Sequence, residues 1–279
     1  MRGLLKISVL VSGFLVFSSM VLVWAQAPQA SQENRRFGAG SLEEKLEKTG
    51  PGGPAPKKSI VGFWAGPASA KINEIAPMTP WGQEQFKTHK SSGEYPVSES
   101  NDPLKTCDPL GFPRNMLYQS RGVAFAEMPD RFIAMSEYNR VWREIWTDGR
   151  PLPKDIGGDA PNAPDTRWYG YSVGHWVDDY NFVVESTGAN ENTWLDSAGH
   201  PHTADMKVEE RYTRQDHNTL ILTMTITDPK AYTRPFVITK QPYKWIPEQE
   251  FDEQICVPSD MLQYLSIIAE PAVKPAGKK

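Results

Sequence analysis

His200-Pro201-His202, with Asp196 four residues before His200, is the most metal-like cluster in the chain. Imidazole and carboxylate ligands suit a divalent transition metal, the cofactor a metal-assisted hydrolase would need. Two histidines at i and i+2 share a face only in a true strand. The proline between them favours the polyproline conformation, which turns the rings apart. Further ligands would have to come from His175, His217 or Glu209. The competing reading is a capped turn whose rings bond backbone groups, with no cofactor at all.

A second set is Glu185, Glu209 and Glu210 with Arg143 and Arg211. Two carboxylates across a barrel mouth could work as general acid and base. Glu209 and Arg211 alternate with Val208, Glu210 and Tyr212, so one of the two faces of that strand carries charge. Cross-strand ion pairing on a solvated face is the plainer reading. A third set is aromatic. Trp142 and Trp146 sit on one strand, and Trp168 and Trp176 end another. Such side chains, with Arg143 beside them, could stack on a small apolar or aromatic ligand, or fill a core. Gly170 and Gly174 fall on the face of Trp168 and Trp176, where they leave room beside the rings or mark a bend. The chain holds no GxSxG elbow, Walker-type loop, HExxH or CxxC, which lowers the weight of the common hydrolases, NTPases, zinc proteases and redox proteins.

The elements that must position these residues are period-two segments. RGVAFAE, RFIAMSE and RVWREIWT come first, the last ending at Asp148-Gly149, a hairpin-type signal. RWYGYSVGHW, YNFVVEST, DMKVEERYTR, TLILTMTIT and RPFVIT follow, with turns at MPD, VDD and QDHN. Three long loops interrupt them: 150–166, 188–204 and DPKAYTRP. Loops of that length are commonly functional or mobile. No βαβ spacing is visible. The expectation is a mainly β fold, an antiparallel meander of about eight strands. An up-and-down, calycin-like barrel is favoured over a sandwich, because closure removes exposed edges. One short N-terminal helix opens at Thr79-Pro80, with threonine as cap and proline in the first turn.

The chain begins with Arg2 and Lys6, an apolar run from Ile7 to Trp24, and small residues at Ala25 and Ala27. This predicts a secretory signal over 1–25, cleaved to leave Gln26 first; an uncleaved anchor is the alternative. A disordered linker is expected over 26–59, where PGGPAPKK is the clearest sign, with a short helix over 41–48. One β-rich domain is expected over 60–258. A partly disordered tail over 259–279 holds a short helix at SDMLQYLSII. The chain of 279 residues carries a formal charge of -4 and a pI of about 5.8, which speaks against nucleic acid as a partner. Cys107 and Cys256 form an even pair in an exported chain, which suggests a disulfide; two buried thiols that never meet are the alternative.

TCDPLGFPR, VWREIWTDGRPLP, WYGYSVGHW, FVVESTG, WLDSAGHPHT, VEERYTR and TITDPKAYTRP together resemble a family of exported bacterial proteins of unknown function. The resemblance spans about Thr106 to Pro235. It implies export and a single β-rich domain, and lends no catalytic residue. The expectation is therefore an exported protein, periplasmic or extracellular, without stable membrane insertion once the signal is removed. It would bind a small molecule in a β-barrel. A metal-assisted hydrolase built on Asp196, His200 and His202, and a cell-envelope structural or interaction module, are the rivals.

Overall fold

Alternation of side chains builds the fold, as a computed structural model shows. It describes residues 50, 52–66, 72, 74–117, 122–247, 249–251 and 254–273. The expected signal segment, the helix expected over 41–48 and the last residues of the tail lie outside these. Nine strands close into a barrel in sequence order: β1 (Gly62–Ala65), β2 (Val123–Met128), β3 (Arg131–Ser136), β4 (Val141–Trp146), β5 (Tyr171–Trp176), β6 (Asn181–Thr187), β7 (Lys207–Arg214), β8 (Thr219–Thr227) and β9 (Phe236–Trp245). The added strand, β1, pairs with both β2 and β9 and shuts the ring. Eight of the nine junctions are antiparallel; β4 and β5 run parallel and join only at Ile145–Ser172 and Trp146–Val173.

That parallel pair corrects one expectation. Asp148-Gly149 does not make a hairpin. Arg150 folds back onto the Asp148 carboxylate, with Nη2 to Oδ2 at 2.6 Å, and Pro151 and Pro153 lack the N–H groups a returning strand would need. The chain instead crosses over through the long loop and re-enters as β5 in the same direction, as parallel neighbours require.

Inward positions follow the predicted period. Phe132 and Ala134 on β3, Phe182 and Val184 on β6, and Leu220, Leu222, Met224 and Ile226 on β8 are buried in one core cluster. Rings pack edge-on or tilted, as Phe125 with Tyr212 and Phe132 with Phe182. The segment around a short helix, α2 (Arg114–Leu117), plugs the ring: Phe112, Met116 and Leu117 belong to the same cluster. Side-chain hydrogen bonds help to hold the plug. Tyr243 donates to the Met116 carbonyl, Asn115 to Ser136 Oγ, and buried Arg114 forks onto Asp102 at 2.8 and 2.6 Å.

The helix predicted at Thr79-Pro80 is α1 (Pro80–Thr88), with Thr79 Oγ1 accepting from Gly82 N. Residues 52–59, expected within the disordered linker, lie along the barrel wall. His217 N donates to the Gly53 carbonyl, Lys58 N to the Asp179 carbonyl, and Arg214 Nη1 to the Ser59 carbonyl. These backbone partners order a segment that has almost no apolar side chains of its own. At the other end a helix runs from Pro258 to Tyr264, through a π turn at Leu265–Ala269, to Glu270–Val273. Cys107 and Cys256 are disulfide-bonded, tying the loop before the plug to the segment before this helix. Among the described residues no helix is long and apolar enough to cross a membrane.

Candidate functional site

Where β4 and β5 splay apart, the barrel wall opens into a cleft of about 720 Å³. That volume is within the range of small-molecule sites. Its lining runs from Trp142 to Glu144 with Trp146 on β4, then Arg150–Lys154 from the crossover, then Arg167–Val173 leading into β5. Period two explains the split of roles on β4. Trp142, Glu144 and Trp146 point outward, while Arg143 and Ile145 are buried.

Four residues singled out from sequence, Trp142, Arg143, Trp146 and Trp168, meet at this cleft. Trp142 is 74% exposed and so presents a free indole. Trp146 does not: the guanidinium carbons of Arg131 and Arg150 lie 3.5 and 3.4 Å from its ring centroid. Two groups that close cannot share one face, so the indole is clamped between them. Trp168 sits in the turn before β5 rather than on the strand, and its carbonyl accepts from Phe112 N of the plug. Trp176 is elsewhere, packed against Phe182 at 5.1 Å. Gly174 faces inward, but leaves no room: a Cβ there would meet Phe182 and Ile145.

Arg143 borders the cleft, but its side chain turns into the barrel. Its Nη2 reaches both oxygens of Glu210 on β7, at 2.9 and 2.7 Å. Glu210 also accepts from the Tyr212 hydroxyl at 2.5 Å. Burial, then the neighbouring carboxylate, pushes the Tyr212 phenol well above its ordinary range. Phe112 lies against the guanidinium, 4.1 Å from ring centroid to carbon. The Nε and Nη1 atoms of Arg143 have no hydrogen-bond acceptor. Tyr169, half-buried in the lining, is pushed up to about 12 by burial.

No protein-family model matches this chain, and no curated protein does. The geometry therefore stands alone. The remaining charged residues divide by face. Glu185 and Glu209 are exposed, and Arg211 lies 3.6 Å from Glu209 on the outer wall. The Asp196, His200 and His202 set does not assemble as ligands. Asp196 Oδ1 accepts from the backbone of Ala198, Gly199 and His200, and its carboxylate holds His200 Nδ1 at 2.9 Å. His200 stacks on Phe86 of α1, and His202 is buried between Thr193 Oγ1 and the Thr203 carbonyl. The His200 ring thus ties loop 188–204 to the helix, and the His202 ring bonds within the loop. Among the described residues no group of three or more His, Cys, Asp or Glu could hold a metal.

Arg150, Lys154, Arg167, Tyr169 and Tyr171 also line the cleft, and sequence reasoning did not select them. The length of the 150–166 loop was the available signal. Only the parallel β4–β5 junction, which no local pattern announces, brings the loop's two ends beside Trp142.

Proposed function

We propose that the protein binds a small apolar or aromatic ligand in the cleft between β4 and β5, rather than in the lumen. The filled and plugged interior speaks against a lumenal ligand. The exposed Trp142 indole, standing over a concave wall that also holds Trp168 and Tyr171, carries the reading. Export is part of the proposal. The charged start, apolar run and small residues of the first segment support it, and a disulfide is what an oxidising compartment sustains. So is membership of a family of exported bacterial proteins, on the strength of the seven motifs above.

Titration of tryptophan emission with a panel of aromatic and lipid probes tests the ligand reading. Saturable quenching in the native chain that is lost in Trp142→Ala supports it. Absence of saturation with every probe sets it aside. A second reading, an interaction module, draws on the C-terminal helix, which exposes Leu262, Ile267 and Ile268. Self-association abolished by Ile267→Ser with Ile268→Ser would favour it; a strict monomer in sedimentation would not.

A further inference from the structure

Closure of the barrel leaves one stretch of strand edge unused. Thr147 N donates to the Asp130 carbonyl, and the same register pairs Ile145 with Phe132, Arg143 with Ala134 and Val141 with Ser136. Hydrogen-bonded and non-bonded pairs alternate along an antiparallel ladder, so these residues turn N–H and C=O toward β3. Trp142, Glu144 and Trp146 turn theirs the other way, toward β5. Yet β5 meets β4 only at Ile145–Ser172 and Trp146–Val173. The N–H and C=O of Trp142 and the N–H of Glu144 therefore face the cleft, with no hydrogen-bond partner among the described residues. The opposite wall supplies no strand to fill the gap. There Gly170 N turns back to the Arg167 carbonyl, and the Trp168 carbonyl accepts from Phe112 N. An unpaired edge is a template for another chain.

The charge of the lining selects as well. Arg150, Lys154 and Arg167 line the cleft, and Glu144 is the one carboxylate there. Glu144 is engaged by Arg131 at 2.6 Å, and Arg150 by Asp148. Lys154 and Arg167 are exposed and have no acidic partner among the described residues.

We infer that the cleft takes a short acidic peptide in extended form, which adds to the free edge of β4 and sets an aromatic side chain beside Trp142. This rests on the ligand-binding reading above and names the ligand's chemical class. Main-chain hydrogen bonds from Trp142 and Glu144 supply affinity, and alternate side chains supply specificity. Lys154 and Arg167 draw the peptide's carboxylates to the rim, where charge acts on association rate and salt dependence.

Calorimetric titration of the full chain with the capped peptide Asp-Val-Trp-Val-Asp and with N-acetyltryptophanamide separates the outcomes. Period two puts the ring and both carboxylates of the peptide on one face. The peptide is expected to bind about tenfold or more tightly than the amide, which has the same ring but too little backbone to pair as a strand. Methylating the amide nitrogen of its tryptophan, or those of its two valines, blocks one edge at a time. One of these peptides should fall to the affinity of the amide while the other keeps its advantage. Glu144→Pro removes an edge N–H that β3 does not use, and should also bring peptide and amide level. Should that variant fail to fold by circular dichroism, the methylated peptides decide alone. The basic peptide Lys-Val-Trp-Val-Lys should bind about fivefold more weakly than the acidic one, and Lys154→Gln with Arg167→Gln should close that difference. Equal affinities of peptide and amide, or equal effects of the two methylations, overturn strand addition and leave the aromatic site standing. Binding of neither probe overturns both. A basic peptide that binds as well as the acidic one overturns the choice of an acidic ligand.

Discussion

Arg143 on β4 and Glu210 on β7 meet inside the barrel, with two strands between them, Nη2 lying 2.7 Å from Oε2 and 2.9 Å from Oε1. Both side chains are almost wholly buried. Taking one partner away leaves a bare charge in a low-dielectric interior, at a cost of about 3–5 kcal/mol. Glu210→Leu is therefore expected to lose that much in urea unfolding. Adding Arg143→Met should recover most of it, since a well-packed apolar pair is often as stable as a buried ion pair. A Glu210→Leu variant that unfolds with the native midpoint would mean that water reaches the pair.

The disulfide closes a span of 149 residues between Cys107 and Cys256. In the chain-entropy picture a loop of that size restrains the unfolded chain by about 5 kcal/mol, and removing native disulfides generally costs about 2–5 kcal/mol. Cys107→Ser with Cys256→Ser should lower stability within that range, and dithiothreitol should do the same to the native chain. Equal denaturant midpoints with and without reductant would show that the bond restrains little.

Period two made the barrel legible. Val208, Glu210 and Tyr212 opposed to Glu209 and Arg211, and Arg143 and Ile145 opposed to Trp142 and Trp146, came out on the faces that alternation assigns. The parallel junction was not legible. Asp148-Gly149 carries the chemistry of a tight turn, but the ion pair from Arg150 and the two prolines after it decide the path of the chain. Hence the cleft, which that junction creates, could be anticipated only as a set of aromatic residues with Arg143. The plug was hidden for a related reason. TCDPLGFPRN reads as irregular loop because its proline and glycine content breaks every period, yet Phe112, Met116 and Leu117 fill the ring.

His202 gives stability a pH dependence. Burial lowers its pKa from 6.5. The unfolded chain then takes up a proton on this imidazole as pH falls through 6.5, while the folded chain keeps it neutral. Unfolded molecules bind more protons in that window, so stability should fall with falling pH below 6.5 until the folded pKa is passed. His202→Gln should show a flatter dependence over the same window in urea titrations. Parallel curves for the two proteins would contradict this.

Gly174 tests how tightly the wall is packed. A Cβ built on it would lie 2.5 Å from Phe182 Cζ and 2.8 Å from Ile145 Cγ2. Both neighbours are fully buried and flanked by other core side chains, so neither can yield cheaply. Gly174→Ala should cost about 1–3 kcal/mol through overpacking. A neutral or stabilising alanine in thermal melts would mean the interior beside β5 is looser than the rings suggest.

The tryptophans of β4 and β5 should separate by role, because their surroundings differ. Trp142 is exposed over the cleft, Trp146 is clamped by Arg131 and Arg150, and Trp176 packs on Phe182. An aromatic contact is worth about 0.5–1.5 kcal/mol beyond its area, roughly two- to tenfold in affinity. Trp142→Ala should weaken binding of an aromatic probe by that factor and leave stability nearly unchanged, since an exposed ring loses little packing. Trp176→Ala should do the opposite, with affinity retained and stability reduced by the loss of its contact with the core. Trp146→Ala frees two guanidinium groups beside Glu144 and Asp148, and should cost stability more than affinity. Affinity lost equally in all three variants would place the ligand somewhere other than the splayed wall between β4 and β5.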